Sequence, residues 1–265
     1  MRPLCPILRI LVIGFMLSKG STPLAYAADY NITISGGDCF ALGEWDASTK
    51  TCTLKQGVLG SILLGGDVTL DGGGFEVVRQ DMSSGSNGIE IRTGQNVTIR
   101  NIKVSGWDKG IQLIRGHNSV IASTTVHHNT TGIEIFDTSF VRLENNHAYD
   151  NRVGIMLLAG DSGMILRGNR LERNDINFFL NTTSHYGHDI DTTNTANGAP
   201  IRYFENLTDV TFENIGESGP VYCIRCEGVA LDGIVMQGTN GPASTGMMFW
   251  ESRNVTVRNS HFEGI

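Results

Sequence analysis

The sequence predicts an all-β solenoid, a single-stranded parallel β-helix of about 22 residues per coil, and three observations carry that prediction. A four-residue phrase recurs as Gly-Ile-Glu-Ile at 88, Gly-Ile-Gln-Leu at 110, Gly-Ile-Glu-Ile at 132, Gly-Ile-Met-Leu at 154 and the variant Asn-Phe-Phe-Leu at 177, in steps of 22, 22, 22 and 23 residues. Within each period apolar and polar residues alternate, which is the pattern of a strand and not the stripe of a helix. Glycine is abundant (33) and proline scarce (6) in the 265 residues, a balance that fits many short strands joined by tight turns.

Each coil divides into strands at the same places. One strand carries the phrase itself, with Ile89/Ile91, Ile111/Leu113, Ile133/Ile135, Ile155/Leu157 and Phe178/Leu180 on a single face. A second carries Val97/Ile99, Ile121, Val141/Leu143 and Met164/Leu166, and a third places Val104, Val126, Ala148 and Leu171 at one register. Coils of this kind stack at the inter-strand spacing of about 4.8 Å, so equivalent positions form ladders. Asn129, Asn151 and Asn174 each stand three residues before the phrase, and Asn146 and Asn169 form a second series. Stacked asparagine amides can bond from coil to coil and satisfy the buried polar groups of a turn. The leucine/asparagine consensus of a leucine-rich horseshoe is absent.

The rest of the chain is organised around this repeat. Residues 1–27 read as a secretory signal peptide: Arg2 and Arg9, the apolar run from Ile10 to Leu17, then Ala25-Tyr26-Ala27 with cleavage after Ala27 or Ala28. That run is too short to span a bilayer, and no second one follows. Residues 28–60 are irregular and fit a cap over the open end of the solenoid, with Cys39 and Cys52 bracketing a short loop. In an oxidising compartment a disulfide there contributes about 3 kcal/mol on the chain-entropy model. The β-helix is expected over 61–265, interrupted by an insertion at 182–205. The closing Glu-Gly-Ile resembles the start of a further coil, so a C-terminally truncated or uncapped end is expected. A net charge of −7 with no basic run argues against nucleic acid as a partner.

Four constellations could carry chemistry. In the insertion, His185, His188 and Asp191 offer imidazole and carboxylate ligands that would suit copper or zinc if the loop curls. Cys223 and Cys226 form a C-x-x-C pair, free or disulfide-bonded, that could bind a soft metal. Aligned on the next coil, Cys223 faces inward and Cys226 lies at a turn, so their direct pairing needs a local bend. The third constellation is an outward face. Ser105, His127, Tyr149 and Glu172 share one register, and Lys103, Thr125, His147 and Arg170 share the register two residues earlier. Cleavage or epimerisation of a uronate needs a base and a cation that neutralises the sugar carboxylate, and the candidates are His127, His147 and Tyr149 with Lys103 or Arg170 as the cation. The fourth is apolar: Ile114, Phe136 and Leu158 in one register, with Met156 and Phe179 beside them, a patch suited to a protein partner if exposed.

The Gly-Ile-x-Leu coils with their Asn-x-x-Gly-Ile turns, the strand Asn96-Val97-Thr98-Ile99-Arg100-Asn101 and the segment from Asp189 to Asn206 (DIDTTNTANGAPIRYFEN) together resemble the right-handed parallel β-helix family of the periplasmic copper-binding protein NosD. The resemblance covers about residues 60–265. It implies a right-handed β-helix in the periplasm or at the cell surface, with copper as the metal handled. Tyr186-Gly187-His188-Asp189 is similar in content to elements of mannuronan epimerases, although order and spacing differ. The Asn-Thr-Asp and Asp-Asp motifs of polygalacturonases are absent.

The leading expectation is an exported, periplasmic or surface-located, non-catalytic β-helix that binds a polysaccharide or protein partner, with copper handling as its sharpest form. The alternative is a polysaccharide-active enzyme, a polyuronate lyase or C5-epimerase of mannuronan type, working on the outward His/Tyr face.

Overall fold

The computed structural model describes residues 24–25, 29–79, 87–158, 160, 162–181, 187–238 and 246–264. Each turn of the chain lays one short strand on each of three sheets, which hold nine, eight and seven strands among the described residues. One coil runs Val120–Ala122, Thr125–His127, Thr131–Phe136, and the next runs Arg142–Glu144, His147–Tyr149, Val153–Leu157. Their registers are parallel and in step, with Ile121 opposite Leu143, Val126 opposite Ala148 and Ile133 opposite Ile155. The recurrent phrase therefore marks one position of a parallel β-solenoid. Its inward residues Ile89, Ile111, Ile133, Ile155 and Phe178 are fully buried, as are Val104, Val126, Ile99, Ile121 and Leu143.

The glycine of the phrase is required by close approach. A Cβ on Gly132 would stand 2.6 Å from the Gly154 carbonyl oxygen of the next coil, and one on Gly154 would stand 2.5 Å from that of Asn177. Beside it runs the first amide ladder. Asn129 Nδ2 donates to Asn151 Oδ1 (3.0 Å), Asn151 Nδ2 to Asn174 Oδ1 (2.9 Å), and Asn174 Nδ2 to Asn177 Oδ1 (2.9 Å). The second ladder runs from the Thr124 hydroxyl through Asn146 and Asn169 to Asn194.

At the N-terminal end, the short helix Cys39–Leu42 and the antiparallel hairpin Gly43–Asp46/Thr51–Leu54 close the core, with Leu42, Cys39 and Cys52 buried beneath them. Cys39 and Cys52 are joined by a disulfide. Stacking begins earlier than residue 61, because Thr51–Leu54 already pairs in parallel with Thr69–Asp71. Of the segment read as a signal peptide only Leu24–Ala25 is described, as an edge strand beside Gly57–Leu59. The rest lies outside the described residues. No described helix is long and apolar enough to cross a membrane.

The segment 182–205 differs from the insertion expected. Asp189–Ile190 pairs with Ile165–Arg167 and Thr195–Ala196 with Arg170–Glu172, so two sheets each gain another parallel strand. The break comes after Ala196, where the chain doubles back antiparallel at Ala199–Pro200. From Arg202 it begins a second stack of three-stranded sheets. One of these, Arg202–Glu205, Val221–Ile224 and Met247–Trp250, is shared between two cores. Tyr222 and Ile224 join the large first core, with Tyr203, Met248 and Trp250 packed against it, whereas Val221 and Cys223 belong to a second core with Val229, Leu231 and Ile234. The Tyr222 hydroxyl donates to the Phe178 carbonyl at 3.1 Å across this junction. A strand buried on both faces reads as a continuous apolar run, and Val-Tyr-Cys-Ile is one.

Candidate functional site

The outward face of the nine-stranded sheet brings the most chemistry together. Strand register places Ser105 beside His127, His127 beside Tyr149 and Tyr149 beside Glu172. The neighbouring row holds Lys103, Thr125, His147 and Arg170. Side chains of one face emerge at every second residue, so the two rows lie side by side. A third row was missed by the sequence reading. His128, Asp150 and Arg173 sit at the turn that precedes each ladder asparagine, with φ of 55°, 53° and 50°. The same 22-residue period marks it, but in the sequence these residues look like ordinary turn positions.

The rings form a column. His127 and Tyr149 stack with centroids 5.0 Å apart and planes at 8°, and the His147 ring is tilted against Tyr149 at 4.7 Å. The Arg173 guanidinium lies 5.3 Å from the Tyr149 ring centre, a cation–π contact. The charged groups are paired within the face. Arg170 Nε reaches Glu172 Oε1 at 2.6 Å, His147 Nε2 lies 3.3 Å from Glu172 Oε2, and Arg173 grips both oxygens of Asp150 at 2.8 and 3.0 Å. Glu76 accepts from the Ser105 hydroxyl at 2.6 Å and stands 3.2 Å from His127 Nε2.

These contacts set the protonation states. Burial alone would raise the Glu172 carboxyl, but bonds from Arg170 and His147 outweigh it and hold the group below its ordinary value. The hydrogen bond from Arg173 does the same for Asp150. Burial lowers the His127 imidazole, against the pull of Glu76. The face is thus a self-paired array, with stacked rings set among ion pairs.

The metal candidates among the described residues do not assemble. His185 lies outside the described residues. His188 is buried, its Nδ1 accepts from the Met164 amide at 3.4 Å, and its ring meets Tyr203 edge-on. Asp191 is held by the Thr193 hydroxyl and amide and by Arg167, whose Nε lies 3.1 Å away. Among the described residues no three of His, Cys, Asp and Glu converge as a metal cage. The Cys223/Cys226 pair needs a correction as a metal site. The positive φ of Arg225 (51°) bends the chain, and the two sulfurs bond to each other with Cα atoms 5.8 Å apart. A disulfide has no thiolate to offer a metal, and both residues are buried in the second core. Of the apolar register, Phe136 is exposed, while Met156 and Phe179 are half-buried.

The comparisons with known proteins reach the fold. A family model described as a right-handed β-helix region matches residues 43–195 and 87–228. Three solved structures are similar to the chain. Pectate lyase Pel9A shares 14% identity over 89% of this chain and 68% of its own, with a TM-score of 0.44. The surface protein and adhesin PfbA of Streptococcus pneumoniae shares 11% over 90% and 89%, at 0.35. The periplasmic alginate epimerase AlgG shares 11% over 88% and 68%, at 0.36. No curated protein matches the chain.

Proposed function

Because the chain belongs to the right-handed β-helix family, a fold that by itself fixes no activity, we propose that it acts as an exported, non-catalytic binding module for an extended polysaccharide. The ligand lies along the face of His127, His147, Tyr149 and Arg170. A polymer running down the solenoid axis meets ring edges, guanidinium groups and carboxylates from coil to coil, at the spacing of the strands. Hydroxyl-rich sugars are met by such fixed donors and acceptors, and the rigid sheet lowers the ordering cost of binding.

One observation favours binding over catalysis. A lyase or epimerase needs a base and a cation left free for the uronate carboxylate. On this face Arg170 and Arg173 are held by Glu172 and Asp150, while Lys103, the remaining cation of these rows, stands two strands away from His147 and Tyr149. Export is supported by the leader-like residues 1–27 and by two disulfides. Copper handling at His185, His188 and Asp191 is the weaker reading, because His188 and Asp191 already have protein partners.

The test is affinity electrophoresis of the mature protein through gels containing polyuronate or neutral glycans, beside Tyr149→Ala and His147→Ala. Retardation by at least one polymer, weakened about tenfold or more in both variants at unchanged melting temperature, is expected. Unretarded wild type overturns the proposal, and release of unsaturated uronate products moves the assignment to the lyase alternative.

A further inference from the structure

At one edge of the same face, His127 and His128 are consecutive residues with their Nδ1 atoms 2.8 Å apart and their rings at 83°. Two imidazole nitrogens this close share one hydrogen or repel. Glu76 helps to decide which. Its Oε1 stands 3.2 Å from His127 Nε2 and is anchored by the Ser105 hydroxyl at 2.6 Å. A carboxylate at Nε2 draws the ring hydrogen there and leaves Nδ1 of neutral His127 as a bare lone pair aimed at His128. A carboxylate behind an imidazole is also the usual outer support of a metal-ligating histidine, fixing its tautomer and ring orientation. When His128 carries its own hydrogen on Nε2, two lone pairs converge on a single point.

We propose that His127 Nδ1 and His128 Nδ1 form a surface site for a divalent transition-metal ion of the zinc or nickel class, with Glu76 as the positioning residue. Nitrogens held 2.0–2.1 Å from a tetrahedral zinc ion stand roughly 3.3 Å apart, so the pair must open by roughly half an ångström. His128 is exposed and can move by that much. Its positive φ of 55° is fixed by the turn, whose amide donates to the Asp150 carbonyl of the next coil at 3.1 Å. Asp150 occupies His128's own row one coil along but is clasped by Arg173. Two imidazoles therefore supply the protein ligands, and water or an oxygen of a bound ligand completes the shell. Imidazole donors favour zinc, nickel and copper over calcium or magnesium.

The site differs from the His185/His188/Asp191 constellation in every residue, and it does not depend on polysaccharide binding. The test is isothermal titration of untagged mature protein with zinc chloride and, separately, nickel chloride. His128→Asn keeps a residue that tolerates positive φ, and circular dichroism checks that each variant is folded. One ion per chain is expected, lost in His128→Asn and in His127→Gln. Glu76→Gln is expected to weaken affinity 10–100-fold while keeping the stoichiometry, and His185→Ala to leave it unchanged. No heat in the wild type at tens of micromolar metal, or binding that survives in folded His128→Asn, overturns the proposal. So does binding lost only in His185→Ala.

Discussion

Asn151 illustrates what a single residue does in this molecule. Its Oδ1 accepts from the backbone amide and the side-chain amide of Asn129, both at 3.0 Å, and its Nδ2 donates to the Val126 carbonyl and to Asn174 Oδ1. It is buried, so water cannot replace these bonds, and a buried polar group left without its partner costs about 1–3 kcal/mol. Asn151→Ala removes side-chain bonds to both neighbouring coils and leaves the buried Asn129 backbone amide and Val126 carbonyl without this partner, and we expect a loss of about 3 kcal/mol or more in urea denaturation. A loss below about 1 kcal/mol would show that the ladder is incidental to stability. This ladder was legible in the sequence because period and residue type coincide. Its extension through Asn177 was not, since that asparagine occupies the glycine position of the phrase. Nor was the junction of the second ladder at Asn194, since it falls in the segment read as an insertion.

At the scale of an element, the strand Arg202–Glu205 is pinned where the two stacks meet. Glu205 accepts from the Tyr203 hydroxyl at 2.6 Å, the Gly187 amide at 2.8 Å and Arg225 at 2.8 Å. Burial would raise its carboxyl, yet these three donors hold it below the ordinary value of 4.5. The Tyr203 hydroxyl is pushed above its own ordinary value, first by burial and then by that carboxylate. A group with a lowered folded pKa contributes stability above its unfolded pKa and loses it as pH falls through the folded one. Stability is therefore expected to hold from neutral pH down to the Glu205 unfolded value and to fall below it. Glu205→Gln should cost about 2 kcal/mol at pH 7 and flatten that acid limb, which denaturation midpoints measured across pH will show. The sequence did not announce this clamp. Tyr203, Glu205, Gly187 and Arg225 follow no common period, because they join a loop, one strand and the turn after the next strand of its sheet, whose meeting depends on where the second stack is placed.

For the whole molecule, the repeat could foretell the coils but not how the second stack meets the first. Alternation names an inward face for each strand only when there is a single core, and Val221–Ile224 has two. The same double burial predicts how stability is distributed. In a solenoid each coil is held chiefly by its neighbours, so local opening follows local core size. Among the described residues the second core gathers seven buried residues, and Phe249 and Phe262 of its last coil are 40% and 41% exposed. The first core runs from the cap to Ile201 and takes in Tyr222 and Ile224 as well. Hydrogen exchange followed by mass spectrometry should place Thr256–Arg258 and His261–Glu263 in the fast class and Ile89 to Leu180 in the slow class. Val221–Ile224, although it belongs by sequence to the second stack, should exchange with the slow class, because Tyr222 and Ile224 are locked into the first core. Tyr222→Ala removes a fully buried ring and its bond to Phe178, a loss of about 3–5 kcal/mol. That variant should move Val221–Ile224 into the fast class while leaving Ile111 to Ile155 protected. Equal acceleration along the whole chain would mean instead that both stacks open as a single cooperative unit.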